Sequence, residues 1–426
     1  MTLWVVGTAI DAWARRHRAP EDLAPLIDVG TEPGAADPVE AEAAATVWSA
    51  VEDLYRTGMH PGIQVCLRHR GEVVLERSIG HAGGIDPTRL FEPDHAVPMT
   101  VDTPVNLFSA SKAVSAMLIH LLAERGTLSL DDPVADHVPA FARHGKGAIT
   151  ISQVLSHQAG VPLLPPGSFD LDALADTERY DELLCDLRIT AAVGGAPAYH
   201  ALTGGFILDL VARHTDGRDL RQLLEDEVRR PLGLGRMSLG VDPADVDLVA
   251  ENVETGFAFL LPLDVFFHRA LGAPWSRLLR MSNDPRFLTA SVPSGNIIVT
   301  ARDVAAFYQC LLDGGALDGT RIFAPATVER ARAPRVEGTP FDRLLGLPMR
   351  YSEGFMLGAE GLTLYGWHHA DAFGHLGMSN LLTWAEPSRD LVVAILSTGK
   401  PMIGTHVLAF PRLIGAIHDA FPADEG

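Results

Sequence analysis

The 426-residue chain is 47% hydrophobic and 21% charged, which is typical of a globular protein and is enough for two or three domains or one large enzyme. Its formal net charge of −20 argues against nucleic acid and anionic membranes as main partners, because both are bound through basic patches. Cys66, Cys185 and Cys310 show no metal-binding or redox spacing, and no basic region precedes the short N-terminal apolar run. We therefore expect a cytoplasmic protein with no membrane span.

The first predicted elements follow an acidic segment, residues 28–45, that is rich in proline, glycine and alanine. This composition predicts a flexible lead-in, so residues 1–49 are interpreted as an N-terminal extension. A helix is expected over residues 46–58. Two β-rich runs about an Arg-Gly turn, in residues 62–80, then predict a hairpin.

The middle of the chain is predicted to be mostly helical. Apolar residues recur with helical spacing at residues 111–125, 201–213, 218–230 and 301–313. Towards the C-terminus, "NLLTWAEPSRDLVVAILST" has two apolar runs about a turn and predicts a second hairpin. A final helix is expected after it, starting anew near Pro411.

Strands at both chain ends with helices between them predict an α/β (α+β) fold. In this fold an antiparallel sheet, built from both ends and flanked by helices, adjoins a mostly helical part. We assign the main domain to residues 50–420. Its sheet part takes residues 50–108 and 290–420, and its helical part takes residues 109–289.

Residues 251–290 are rich in phenylalanine and leucine. One interpretation is a packed subdomain. The other is a wall or lid over an apolar substrate pocket. The candidate wall residues are Phe257, Phe259, Phe266, Phe267 and Trp275.

The stretch "LFSASKAVSAMLIHLL" places Ser109 and Lys112 one turn apart at the start of a helix. One interpretation makes Ser109 an N-cap and Lys112 a solvated first-turn residue. The alternative makes them a nucleophile and its base. A lysine is unusual at this end of a helix, where acidic residues are favoured.

Four further motifs follow in order. They are "SHQAG" at residues 156–160, "PAYHA" at 197–201, "PSGN" with "TARDVAAFY" after it, and "FGHLGMSN" at 373–380. With the preceding S-x-x-K, this ordered set resembles the serine β-lactamase and penicillin-binding-protein superfamily. The resemblance is greatest to its class C-like branch of family VIII carboxylesterases and related transacylases, and it covers residues 50–420.

The resemblance implies a β-lactamase-like fold and assigns roles to particular residues. Ser109 matches the nucleophile, Lys112 the lysine of S-x-x-K, and Tyr199 the tyrosine of Y-x-N. The K-T-G motif corresponds to His375 through Gly377. The sequence departs from the pattern at two positions. Ala201 stands in place of the Y-x-N asparagine, and His375 stands in place of the K-T-G lysine.

The implied chemistry needs a base for the serine and donors for an oxyanion. Either Lys112, if neutral, or Tyr199, if a phenolate, could accept the Ser109 proton, and the sequence leaves both open. The superfamily pattern places the oxyanion donors at the backbone N–H groups of Ser109 and Met378. The predicted substrate-binding residues on the same strand are His375 and Gly377.

We therefore expect a serine hydrolase that acts on a small ester with an apolar acyl group through an acyl-enzyme, by hydrolysis or acyl transfer. A β-lactamase or D-alanyl carboxypeptidase is the alternative, and a non-catalytic binding protein on the same scaffold is a weaker one. No G-x-S-x-G, H-E-x-x-H or clustered Cys/His motif occurs, so no metal and no cofactor are expected. The oligomeric state does not follow from the sequence.

Overall fold

The computed structural model describes residues 14–85, 96–165, 167–257 and 273–423. The helices among these residues are Pro38–Arg56 (α1), Ser111–Glu124 (α2), Val134–His137 (α3), Ile151–Leu155 (α4), Thr177–Asp186 (α5), Thr203–Thr215 (α6), Leu220–Leu224 (α7), Arg230–Leu232 (α8), Trp275–Ser282 (α9), Pro285–Thr289 (α10), Ala301–Leu312 (α11), Pro325–Arg332 (α12) and His406–Ala420 (α13). No helix in the described part is both long and apolar enough to cross a membrane.

The main sheet has nine strands within the described ranges, and every strand pair is antiparallel. From one edge to the other, its strands are Arg350–Tyr351, Met356–Leu357, Phe373–Leu376, Leu382–Glu386, Leu391–Ser397, Gly62–His69, Glu72–Gly83 and Ile27–Val29, with Val97–Pro98 also paired to Glu72–Gly83. Three short strands, Val105–Asn106, Ser238–Leu239 and Ile297–Val299, form a second sheet. The remaining pairs are Ala14–Arg15 with Gly256–Phe257, and Ala316–Leu317 with Thr320–Arg321.

The two ends of the chain meet at the centre of the main sheet. Strand Leu391–Ser397 pairs with Gly62–His69, so that Leu391 lies opposite His69 and Ser397 opposite Ile63. The predicted sheet built from both chain ends is therefore confirmed, together with both predicted hairpins.

The uninterrupted apolar run of strand Leu391–Ser397 reflects burial on both of its faces. Val392, Ala394 and Leu396 lie in the larger hydrophobic core, whereas Leu391, Val393 and Ile395 lie in a second core on the opposite face. Helices α1 and α13 cover the second core, and helix α11 packs on the first. The sheet is thus the middle layer between two sets of helices.

Helix α2 is the centre of the helical part. Every residue from Ser111 to Leu122 is buried, as expected for a helix that is enclosed on all sides rather than amphipathic at a surface. It contacts helices α6, α7 and α12 as well as strand Phe373–Leu376. This placement brings the start of α2 next to the sheet.

The interpretation of residues 28–45 as a flexible lead-in is wrong. Ile27–Val29 is an edge strand of the main sheet, and α1 begins at Pro38 rather than near residue 46. The reason is local: Asp37 accepts a 2.8 Å hydrogen bond from the Val39 N–H as an N-cap, and Pro38 takes the first helical position. Helix α13 likewise continues through Pro411 instead of starting there.

Candidate active site

Ser109 lies in a 3₁₀ turn, Phe108–Ala110, that leads directly into α2. The residue before it has an unusual backbone conformation, with a φ of +48° at Phe108. The Asn106 side chain supports this turn by accepting a 2.9 Å hydrogen bond from the Phe108 N–H. Ala110, not Ser109, occupies the N-cap position and makes no side-chain capping bond, so the interpretation of Ser109 as an N-cap is wrong.

Lys112 is buried, so its interpretation as a solvated first-turn residue is also wrong. Its ammonium lies 3.3 Å from Ser109 Oγ, and it donates to the carbonyls of Ala201 at 2.8 Å and Ser294 at 3.1 Å. Burial lowers the pKa of Lys112 to about 7. Since no carboxylate pairs with it among the described residues, a large fraction of this lysine is neutral at pH 7.

The Ser294 carbonyl is positioned by the two serines that flank the lysine on α2. Ser115 Oγ donates to the Pro293 carbonyl at 2.7 Å, and the Ile297 N–H donates to Ser111 Oγ at 3.0 Å. These bonds hold both ends of the turn that carries "PSGN" against α2. The sequence shows the "PSGN" motif but not the role of Ser294, because Ser294 contacts Lys112 through its backbone carbonyl.

Tyr199 lies directly against the lysine. The Lys112 nitrogen is 4.8 Å from the centroid of the Tyr199 ring. The Tyr199 hydroxyl is buried and has no partner of good hydrogen-bond geometry in the described part of the chain. Burial raises the pKa of Tyr199, and the neighbouring Ser109 hydroxyl opposes this shift only partly. Tyr199 is therefore a neutral phenol at rest.

A turn at His157 holds the segment that carries Tyr199. His157 has a φ of +62°, its carbonyl accepts from the Ala198 N–H at 2.9 Å, and its Nδ1 accepts from the His200 N–H at 3.2 Å. The His157 and Tyr199 rings pack edge to face, with their centroids 4.7 Å apart. The "SHQAG" stretch thus positions Tyr199 by hydrogen bonds to its two neighbouring residues and by packing against its ring.

Asp342 and Tyr351 were missed by the sequence analysis. The fully buried Asp342 accepts hydrogen bonds from the Tyr199 N–H at 3.3 Å and from the Tyr351 hydroxyl at 3.1 Å. It also accepts from the backbone N–H groups of Leu344 and Leu345. Neither residue belongs to a recognisable motif, and both lie more than a hundred positions after Tyr199, so no local pattern could have indicated them.

His375 is buried beside Tyr199, with 6.3 Å between the ring centroids. Its Nδ1–H donates to the Leu376 carbonyl at 2.7 Å. Burial, with a smaller contribution from the charge of Lys112, lowers the pKa of His375 to about 3. This histidine is therefore neutral at pH 7 and does not supply the positive charge of the lysine it replaces.

Gly377 allows the end of strand Phe373–Leu376 to approach the segment that leads to Ser109. A Cβ atom at Gly377 would lie 2.6 Å from the Leu107 carbonyl oxygen, which is too close for any other residue without a backbone shift. Gly377 and Met378 line the same cavity as Ser109. The structure thus brings Ser109 and Met378 to one cavity, whereas the His375 side chain lies outside its wall.

This cavity has a volume of about 570 Å³ and is lined mostly by apolar side chains. None of its described lining residues carries a charge. Trp275, Leu278 and Met281 contribute one part of the wall, so the wall interpretation applies to this part of residues 251–290. Phe257 does not line the cavity and is 38% exposed, while Phe259, Phe266 and Phe267 lie outside the described residues.

One group of side chains in the described ranges could ligate a metal ion, namely His369, Glu386 and His418. Glu386 already pairs with His369 Nδ1 and with Arg389 Nε, each at 2.8 Å. None of these residues lines the cavity that contains Ser109.

A family model described as Beta-lactamase matches residues 49–415. The chain belongs to the beta-lactamase family. Among its relatives, Esterase/beta-lactamase LipL of Mycobacterium tuberculosis is 30% identical over 341 residues, which are 76% of this chain and 76% of LipL. The resemblance inferred from the ordered motifs is thereby confirmed.

Two solved structures are similar to this beta-lactamase-family protein. A penicillin-binding protein homologue from Caulobacter crescentus shares 28% identity and a TM-score of 0.76, covering 92% of this chain and 99% of the other. A family VIII carboxylesterase shares 26% identity and a TM-score of 0.75, with the same coverage. The predicted β-lactamase-like fold, with its antiparallel sheet and helices, is therefore confirmed.

The lowered pKa of Lys112 predicts a pH-dependent stability difference between the wild type and Lys112→Met. The pKa is about 7 in the folded protein and about 10.4 in an unfolded chain, so the unfolded state binds more protons between these values. The unfolding free energy of the wild type should therefore rise relative to the variant from pH 7 to pH 10, by up to about 1.4 kcal/mol per pH unit. Denaturant titrations at several pH values measure this difference. If the unfolding free energies of the two proteins changed with pH in parallel, Lys112 would have an ordinary pKa.

Proposed function

We propose that this protein is a serine hydrolase that cleaves carboxylic esters with an apolar acyl group through an acyl-Ser109 intermediate. The observation that carries the proposal is the contact of Ser109 Oγ with a buried lysine of lowered pKa at the wall of an apolar cavity. The relative named esterase/beta-lactamase and the similar carboxylesterase structure support ester hydrolysis.

Lys112 is the base in this proposal. A lysine with an ordinary pKa is neutral in about one molecule in a thousand at pH 7, whereas a pKa near 7 makes about half of the molecules competent. The raised pKa of Tyr199 disfavours a resting phenolate. Tyr199 instead acts as a neutral hydroxyl, which relays a proton from the Lys112 ammonium to the leaving alkoxide.

The acylation step forms a bond between Ser109 Oγ and the ester carbonyl carbon while the serine proton passes to Lys112 Nζ. The carbonyl oxygen becomes an oxyanion, which the backbone N–H groups of Ser109 and Met378 stabilise. Collapse of this intermediate breaks the bond to the alkoxide, which leaves as the alcohol after it receives the proton. Water then adds to the acyl-enzyme in the same manner, the carboxylic acid leaves, and Ser109 regains its proton.

The cavity favours an uncharged ester over an anionic amide. No cation lines its described wall, and His375 is neutral, so a substrate carboxylate would lose its hydration without gaining a charged group in direct contact with it. Ala201 offers no side-chain hydrogen bond to an amide group. β-Lactam hydrolysis is the second candidate, because the relative LipL carries both activities in its name.

We expect Lys112→Ala and Tyr199→Phe each to lower kcat by about 10²–10⁴-fold, because each removes a step of proton transfer. The double variant should lose far less than the product of the two losses, since both residues act on the same proton path. Steady-state kinetics with p-nitrophenyl butyrate measure these effects. Tyr180→Phe is the matched control, because Tyr180 is another buried tyrosine, whose hydroxyl donates to the Ser168 carbonyl. Near-full activity of either active-site variant would contradict the mechanism.

Ester hydrolysis should be strongly preferred over β-lactam hydrolysis. On one preparation, kcat/KM for p-nitrophenyl butyrate should exceed that for nitrocefin by at least about a hundredfold, corresponding to about 3 kcal/mol from the unpaired carboxylate and amide. Equal or greater efficiency on nitrocefin would overturn the ester assignment and favour a β-lactamase.

A further inference from the structure

A second buried lysine lies against the residue that precedes Ser109. Lys400 is fully buried, and its ammonium lies 5.1 Å from the centroid of the Phe108 ring, the side chain next to Ser109 in sequence. The ammonium donates to the Ser397 carbonyl. No carboxylate pairs with it within the described ranges. A cation that is buried without a counter-charge is costly, so its presence calls for a reason other than stability.

The backbone around Lys400 also supports the turn that carries Met378. Ser379 Oγ donates to the carbonyl of Pro401. His60 bridges the same two segments, since its Nδ1–H donates to the Gly399 carbonyl at 3.2 Å and its Nε2 accepts from the Asn380 amide at 3.0 Å. Residues 399–401 therefore contact both Phe108, which precedes Ser109, and Ser379, which follows Met378.

We infer that Lys400 is a positioning residue for the reaction of Ser109: it holds Phe108 in its left-handed conformation and places a positive charge behind the two proposed oxyanion donors. The inference rests on the proposed function. In a water-excluded interior a charge is weakly screened and acts beyond its direct contacts, so this cation stabilises the oxyanion as it develops. Lys400 acts without touching the substrate, because the Phe108 ring that it contacts lines the cavity and Lys400 itself does not.

The histidines grouped around Lys400 do not share its titration range. His60, which precedes strand Gly62–His69, interacts electrostatically with Lys400, with His406 at the start of α13 and with the more distant His17. Burial lowers the pKa of His60 well below its usual value, and lowers those of His406 and His17 to about 4. Burial lowers the pKa of Lys400 to about 7. Above pH 6 the lysine is therefore the group in this cluster whose charge changes.

The test compares Lys400→Met with Lys146→Met. Lys146 is a matched control because it is also fully buried but donates to three carbonyls, those of Arg143, Cys185 and Leu187, at 2.6–2.8 Å. Lys400→Met should lower kcat about tenfold with KM near the wild-type value, which is less than the roughly 10²–10³-fold loss on removing a donor in direct contact with an oxyanion. Its melting temperature should stay the same or rise, because an unpaired buried charge is removed. Lys146→Met should show the reverse, a lower melting temperature and an unchanged kcat.

The pH profile gives a readout that a structural role would not change. In the wild type, kcat should rise with deprotonation of Lys112 and fall again with deprotonation of Lys400, giving an optimum near pH 7. In Lys400→Met the alkaline fall should disappear, leaving a rise to a plateau. Lys400→Gln serves as a second uncharged variant. An unchanged kcat, or failure of both variants to fold, would overturn the inference and assign Lys400 to the stability of the core.

The rate at which a fluorophosphonate labels Ser109, measured in parallel, separates this inference from the proposed function. A wild type that is labelled but hydrolyses no ester contradicts ester hydrolysis alone. In that case the inference about Lys400 is still tested by the labelling rate, which Lys400→Met should lower about tenfold. A labelling rate that Lys400→Met leaves unchanged contradicts the inference about Lys400 alone.

Discussion

The site depends on keeping the ammonium of Lys112 out of water. Lowering its pKa from 10.5 to about 7 corresponds to about 5 kcal/mol of unfavourable burial of the charged form, a large fraction of the stability of an ordinary domain. Two backbone carbonyls and one hydroxyl offset part of this cost but provide no negative charge. Near pH 7 the charged and neutral forms of this lysine are therefore both populated. This balance requires the surrounding core to keep the side chain buried.

Four distant parts of the chain supply that environment. The turn before α2 carries Ser109 and α2 itself carries Lys112. The segment before α6 carries Tyr199, the "PSGN" turn supplies a carbonyl, and the turn after strand Phe373–Leu376 supplies Met378. They converge because the chain ends pair at the centre of one sheet and α2 packs against it. The close approach at Gly377 shows how little free space remains between the strand and the segment that leads to Ser109.

The sequence predicted the elements that have a local signature. Both hairpins, the main helices and the order of motifs are visible in periodicity and in short residue patterns, and the family match confirms the resemblance that the motifs carry. The prediction for residues 28–45 was wrong for a local reason as well, because the helix start signal at Asp37 and Pro38 outweighs the proline- and glycine-rich composition of the segment. The motif residues of the candidate site were found in the same local way.

The remaining parts of the site could not be predicted because their contacts join residues far apart in the chain. Asp342 supports Tyr199 across 143 positions, and Lys400 reaches Phe108 from the end of a strand near the C-terminus. A buried carboxylate or lysine has no distinctive spacing in a sequence. Its role follows from burial and partners, which only the folded arrangement shows.

The most direct test of the account is to trap the acyl-enzyme. The protein is mixed with excess p-nitrophenyl butyrate, quenched in acid within the first turnover, digested and analysed by peptide mass spectrometry. The account predicts a butyryl group on the peptide that contains Ser109, located on that serine, with a burst of p-nitrophenol matching one equivalent of enzyme. A butyryl group on another residue, or turnover in Ser109→Ala at the wild-type rate, would contradict it.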